Sequence, residues 1–468
     1  MMRRLVVGAL SLGFAVLVGC TAKNPDFCQA DGECDDPTKP FCDVNGEFAE
    51  SGHTPNICTA RPAGCSIERC GCDAGTGLSC DLDQLTVCNP DGHSSSVETC
   101  ALGCSTEPRC LTFEPSNGLG PALAMAASEP DVVLPPGTRI DTDLGTVTSA
   151  SGPVMVKSAV VAQQNGRSIR VFLGGSFLAD DVQVMGGSAV ALVATGSITI
   201  RGPFKARASG AQAGPGGQDL PAVCAGADQT QIVQSGTVGF NTIAGPGGGG
   251  NATAGGAGGA RTPSTSPVGA LIPDFEPLVG GCRGGSQIDS NGVVMARGGG
   301  GGGAVQLVSL TEISFTTAGM LDVGGGGGAS LGTGTSKFSG AGGSGGTVVL
   351  EAPRVRFEGA TTGLAANGGA GGSCQMQGAD GSASAAVAHA DASCTDASAG
   401  DGGTGAVLPT GKLIPCPQGN FCAVNFDHWD GGGGAAGRVR VVTKDSMLTR
   451  NGSPVISAMI SLGQIVPQ

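Results

Sequence analysis

The sequence has no tyrosine, a single tryptophan, and charged side chains at only 13% of its positions. Lys and Arg number 25 against 38 Asp and Glu, giving a formal net charge of -13. A chain so short of cations and rings lacks what neutralises phosphates and stacks on bases, which argues against a nucleic-acid partner. No apolar run reaches the ~20 residues that a helix needs to cross the hydrocarbon core of a membrane. No Gly-rich stretch ends in Gly-Lys-Ser or Gly-Lys-Thr with a helix pattern behind it, so a phosphate loop is discarded. The four histidines, His53, His93, His389 and His428, lie in separate regions, and none has a Cys or His beside it at metal-ligand spacing. What the chain has in abundance is glycine, at 86 of 468 positions, and cysteine, at 19.

The N-terminus opens Met1-Met2-Arg3-Arg4 and runs from Leu5 to Val18 almost without a polar side chain before Gly19-Cys20. A basic start followed by a short apolar run is the pattern of a leader that is removed, here residues 1–19. Leu17-Val18-Gly19-Cys20 resembles the lipobox of type II signal peptides. The resemblance implies a bacterial lipoprotein, cut before Cys20 and lipidated on that cysteine, with residues 20–27 as the tether. Several acyl chains at ~0.8 kcal/mol per buried methylene exceed the single-chain case that binds only reversibly. Thr21 follows the cysteine where an Asp is absent, which resembles the sorting pattern for the outer membrane or cell surface. Loss of Arg3 and Arg4 with the leader takes the charge from -13 to -15.

Lipidation of Cys20 leaves eighteen cysteines, twelve between Cys28 and Cys110 and six between Cys224 and Cys422. Even numbers in an exported protein read as disulfides. Cys28, Cys34, Cys42 and Cys58 fall in a first module, 28–60; Cys65, Cys70, Cys72, Cys80, Cys88, Cys100, Cys104 and Cys110 fall in a second, 61–113. Neither module has the apolar content to offset its chain entropy, so cross-links must hold both. Cys70-Gly71-Cys72 and the Cys100, Cys104 spacing also suit zinc, but zinc needs reduced thiols and export disfavours them. Asp31-Gly32-Glu33 and Asp35-Asp36 lack the spacing of a calcium loop and read as a solvated acidic face. No metal and no cofactor is expected.

Glu114-Pro115-Ser116-Asn117-Gly118 is a turn-forming string, and 114–131 reads as a linker. From 132 to 468 short runs of Val, Ile, Leu and Phe alternate with small or polar residues, as strands do. They recur as sets. Val190-Ala191-Leu192 is followed by Ile198-Thr199-Ile200, Val305-Gln306-Leu307 by Ile313-Ser314-Phe315, and Val348-Val349-Leu350 by Val355-Arg356-Phe357. Third stretches follow at Phe204–Ala208, Met320–Val323 and Gly363–Ala366; Ile169–Val171 belongs to an earlier set and Val439–Val441 to a later one. A period of roughly twenty residues with three strands per turn fits a mainly β protein built as a parallel β-solenoid. A β-sandwich is the alternative, disfavoured because the strands repeat as a set without two-residue hairpin turns.

Three inserts, 209–303, 324–346 and 368–437, leave after the third strand of a set and return before the first of the next, which places them at one corner. The second has 12 glycines among its 23 residues. Glycine loses the most backbone entropy on ordering, so these inserts are either mobile or packed backbone to backbone. Cysteine counts favour closure: Cys224 and Cys282 in the first, none in the second, and Cys374, Cys394, Cys416 and Cys422 in the third. A bond between Cys224 and Cys282 is expected, with the last four bonded among themselves.

Strand sets with Gly-rich excursions over residues 132–460 resemble the glycine-rich, β-helical surface proteins of bacteria, including adhesins. The resemblance implies a rigid scaffold that presents loops; together with the lipid expected on Cys20, it leads to the expectation of a membrane-anchored protein engaged in adhesion or envelope organisation, with polysaccharide or a surface protein as partner. Catalysis has weaker support. Asp180, Asp181 and Arg201 are candidates for a polysaccharide-cleaving site, though charges in the strand sets are few and unclustered. Phe426-Asp427-His428-Trp429-Asp430 offers an Asp-His pair without a nucleophile, so its aromatics read as a plug for one loop.

Overall fold

The computed structural model describes residues 27–29, 33–39, 41–43, 56–59, 78–81, 83–88, 95–105, 109–217, 224, 231–233, 245–261, 268–289, 291–333, 336–373, 376–390, 399–411, 413–414 and 428–468. The chain divides into two compact units, Met1–Cys110 and Leu111–Gln468. It is mainly β. Among the described residues no helix is long and apolar enough to cross a membrane.

In the first unit, Phe41–Asp43 and Ile57–Thr59 pair antiparallel, with Cys42 opposite Cys58. Disulfides join Cys28 to Cys42 and Cys34 to Cys58. A three-stranded antiparallel sheet follows, made of Leu78–Asp81, Gln84–Cys88 and Ser95–Thr99. Cys100 is bonded to Cys110, and Cys104 is also disulfide-bonded.

The second unit is dominated by three sheets. One has seven strands, in the order Lys157–Val161, Ile169–Gly174, Ala189–Ala194, Ala304–Ser309, Thr347–Glu351, Arg438–Thr443 and Met459–Gln464, all parallel after the first pair. A six-stranded, wholly parallel sheet runs from Val132–Leu134 through Phe177–Ala179, Ile198–Ile200, Glu312–Thr316 and Arg354–Glu358 to Thr449–Asn451. An eight-stranded sheet includes Thr138–Asp141, Val182–Met185, Pro203–Lys205, Met320–Asp322, Gly363–Ala365 and Val455–Ile456 in parallel. The chain visits the three sheets in turn, so each set of three strands pairs with the next set. Val190, Val305, Val348 and Val439 lie side by side in register, as do Ile198, Ile313 and Val355.

Alternation explains the core. Inward residues from all three sheets form one cluster that includes Leu192, Leu307, Leu350, Phe204, Leu321 and Leu364. Phe315 and Phe357, neighbours in register, stack with centroids 4.5 Å apart. Identical positions stacking on one another reproduce the spacing of the sequence repeats.

The stretch 114–131, expected to be linker, instead carries the helix Gly120–Ala126. Leu119, Ala122, Leu123 and Ala126 are buried at the spacing of one helical face, and the helix packs on the strands Ile169–Gly174 and Ala189–Ala194. Pro121 at its start is tolerated because the first turn has no internal bond for its missing N–H.

Candidate functional site

The inserts leave after Lys205, Asp322 and Ala365 and return at Ala304, Thr347 and Arg438. Each therefore exits from the eight-stranded sheet and re-enters at the seven-stranded one. Where described, their glycine runs are packed backbone to backbone. The segment 340–346 is the clearest case. Gly340, Gly343 and Gly346 donate to the carbonyls of Ala329, Gly326 and Val323; Ala341 and Ser344 donate to Gly285 and Cys282; Gly342 and Gly345 donate to Gly432 and Ala435. Its carbonyls in turn accept from Gly299 and Gly302, from Gly369 and Gly372, and from Gly249. Direction thus rotates with a period of three residues, the repeat of a polyproline II helix. Six neighbouring stretches, drawn from all three inserts, surround this one rod.

Only glycine permits so close an approach. A Cβ on Gly343 would overlap the carbonyl oxygens of Gly300 and Gly299, and one on Gly433 would overlap that of Asp401. Polar side chains supply further ties. Asn251 donates to Gly345 O at 2.6 Å, and Ser344 Oγ accepts from Cys282 N at 2.8 Å. Asp380 accepts from Gly210 N and Gly327 N, while Arg207 spans Asp322 and Asp380 at 3.4 and 3.7 Å. Burial pushes the Asp322 carboxyl above its ordinary value, against the opposing pull of Arg207. Cys224 and Cys282 are bonded, as their spacing within one insert leads one to expect.

At the margin of this bundle, Ser330–Thr333 pairs with Ser336–Ser339, which pairs along its other edge with His428–Trp429. The strand Val294–Ala296 contacts the first two. Val293, Val294 and Leu331 there are 56%, 46% and 53% exposed, an apolar edge beside the buried glycine runs.

A cleft of about 630 Å³ opens on the outer side of the seven-stranded sheet, between residues 113–118, the insert residues Asp274–Glu276 and the C-terminal stretch. Phe275 sits in its wall with the Arg438 guanidinium 4.6 Å from its ring centroid and that of Arg440 at 5.8 Å. Arg438 is almost wholly buried, and the loss of hydration brings its pKa down to about 10, against the raising effect of Asp274. It stays charged at neutral pH. Glu351, also in the wall, is 4% exposed. Burial holds its carboxyl above the ordinary value, outweighing the bonds it accepts from Ser116 N at 3.1 Å and Gln306 Nε2 at 2.6 Å.

The sign of the Glu351 shift sets a pH dependence. A raised pKa means that the folded state binds this proton more tightly than the unfolded chain does. Its contribution is therefore most favourable below the ordinary carboxylate value and declines as pH rises through the folded pKa. Glu351→Gln should gain on the wild type as pH rises from about 4 to about 8 in paired thermal melts. Parallel curves would contradict the assignment. Asp322 acts in the same direction, so the variant flattens the slope without abolishing it.

Cys20, Cys65, Cys70, Cys72, Cys374, Cys394, Cys416 and Cys422 lie outside the described residues, as do His53, His93, Phe426 and Asp427. Cys80 and Cys88 fall on the strands Leu78–Asp81 and Gln84–Cys88. The sulfurs of Cys28, Cys34 and Cys58 cluster closely enough to suit a metal, but each belongs to a disulfide and none is a free thiolate. Glu33, Asp35 and Asp36 are exposed, and hydrogen bonds from Thr38 lower the Asp36 pKa. Asp180 and Asp181 are paired with Arg201 at 3.3 Å and Lys205 at 2.9 Å on partly exposed positions, the geometry of surface ion pairs. His389 faces Asp401 at 3.4 Å, while His428 lies on the strand beside Lys337. Sequence reasoning missed Glu351, Arg440 and Phe275, which converge on the cleft from three distant stretches and share no local pattern.

Comparison with protein family models, with curated proteins and with solved structures finds no match to this chain.

Proposed function

We propose that this chain is an exported lipoprotein, held by lipid on Cys20 to the outer membrane or cell surface, whose glycine bundle is a rigid binding or adhesive platform for polysaccharide or a surface protein. The observation that carries the reading is the union of three separate inserts, all leaving one corner, into a single hydrogen-bonded body. Mobile glycine loops would lose entropy on every contact they make; a prebuilt bundle does not. We read the three parallel sheets, visited in turn with one core among them, as the faces of a β-solenoid that serves as the scaffold. Disulfides in both units support an oxidising compartment outside the cytoplasm. The apolar edge at Val293, Val294 and Leu331 is the expected contact surface, since exposed apolar groups clustered on a scaffold mark interaction sites.

Two measurements test this. Metabolic labelling with a fatty acid should mark the wild-type protein, and Cys20→Ala should remove the label and release the chain from the membrane fraction. Retention of purified protein on envelope polysaccharide, or on intact cells of its host, should fall about tenfold or more in the double variant Val294→Asp, Leu331→Asp. A labelled protein whose retention the double variant leaves unchanged would keep the anchor and sink the binding surface.

A further inference from the structure

The two ends of the parallel sheets are built differently. At the N-terminal end the chain doubles back. Thr138–Asp141 pairs antiparallel with Thr146–Ser149, which pairs with Gly152–Pro153, and Lys157–Val161 lies antiparallel on Ile169–Gly174. Val147 is buried there, with Val154 and Val156 packed over the end of the core. One edge is the two-residue strand ending in Pro153; another carries Lys157, paired with Glu129 at 2.6 Å. Short strands, proline and lysine are the means by which proteins keep sheet edges from pairing.

At the C-terminal end two of the three sheets close in the same way, on the three-residue strand Thr449–Asn451 with its exposed Arg450 and on the two-residue strand Val455–Ile456 behind Pro454, but the seven-stranded sheet does not. The edge of that sheet is Met459–Gln464, a parallel strand of six residues without charge or proline. Leu462 lies in register with Val441, Leu350, Leu307 and Leu192, each 0% exposed, yet is itself 54% exposed, and among the described residues its strand pairs on one side only. On the same strand Met459 is 45% exposed, and Met447, in the turn after Arg438–Thr443, is 63% exposed. The turn bearing Val407 and Leu408, 47% and 68% exposed, is tied to the same edge by a 2.7 Å bond from Gly405 N to Ser457 O.

We propose that this end is an interface between two copies of the chain, joined end to end about a two-fold axis with Met459–Gln464 antiparallel to its counterpart. The occupant follows from complementarity. An uncharged strand paired antiparallel with itself brings no like charges together, and the arrangement closes after two copies. A head-to-tail stack would have to pair this edge with the stoppered N-terminal end. Five half-exposed apolar side chains, Leu462, Met447, Met459, Val407 and Leu408, offer on the order of 250 Å² per copy. With two copies, the strand backbones and the surrounding rim, the buried area reaches the ~1,000 Å² that a specific interface needs.

Sedimentation of the full chain carrying Cys20→Ala, from about 1 to 100 μM, should give a mass twice that of one chain. Leu462→Lys and Leu462→Glu place like charges across the axis, and each alone should weaken the dimer by about a hundredfold. Mixing the two should restore it as a heterodimer, a result that a misfolded variant cannot produce. A wild-type monomer at 100 μM, including one whose edge is covered by its own residues 28–110, would overturn the proposal. So would a dimer that neither substitution weakens.

Discussion

Gly343→Val is expected to open the glycine bundle while leaving the three sheets folded. The residue lies within the rod 340–346, donating to Gly326 and accepting from Gly369, and its missing side chain faces the carbonyls of Gly299 and Gly300. Overpacking of a tight interior costs about 1–3 kcal/mol. Here the obstacle is backbone that cannot rotate away, and hydrogen bonds worth about 1 kcal/mol each are lost with it. A total on the order of 4 kcal/mol is reasonable, and it raises the population of opened bundle about a thousandfold. Proteolysis under conditions of rapid opening tracks that population. Cleavage within 324–346 and 431–437 should accelerate accordingly, while the strands Ala304–Ser309 and Arg354–Glu358 stay protected. Ala379→Val is the control, because Ala379 is solvent-exposed at the bundle's surface and the added methyls meet water. Equal cleavage of the two variants would mean that the inserts are not the close-packed body described.

The strand sets were legible because they obey a local rule. Alternation selects which residues point inward, and parallel stacking places Val190, Val305 and Val348 in register, so three-dimensional neighbours are written as sequence repeats. Pairing of Cys224 with Cys282 was legible for a similar reason, since both belong to one insert. The bundle was only half legible. Composition restricts it to two states, mobile or close-packed, but which rods meet depends on the scaffold bringing residues near 249, 284, 300, 326, 342, 369 and 433 together. Glycine has no side chain in which such a contact could leave a pattern. The helix Gly120–Ala126 had a signal in the spacing of Leu119, Ala122, Leu123 and Ala126, and the flanking Gly and Pro concealed it. The cleft had none. Glu351, Arg440 and Phe275 are each unremarkable where they stand in the chain, and their convergence belongs to tertiary structure alone.

Reduction should unfold the module 28–60 and spare the second unit. The buried apolar cluster of that module consists of Cys28, Cys42 and Cys58, with Cys34 packed against them, so its core is its cross-links. The two bonds span 14 and 24 residues. Chain entropy assigns about 3 kcal/mol to each. Their sum exceeds the few kcal/mol that some thirty residues retain at typical stability per residue. In hydrogen exchange followed by mass spectrometry, the amide of Cys28, bonded to Asn56 O at 3.1 Å, should lose all protection once reduced. The second unit depends on its disulfide differently. Loss of the Cys224 to Cys282 bond, spanning 58 residues, removes about 4 kcal/mol on the same model. Cys282, however, stays held by Ser344, whose hydroxyl accepts from its N–H and whose own N–H donates to its carbonyl. Beneath it the stacked core from Leu192 to Val441 contains no cysteine. Exchange should therefore rise near Cys224 while Val305–Val308 and Val348–Leu350 keep their protection. Lasting protection at Cys28 under reduction would mean that something other than sulfur holds the small module together.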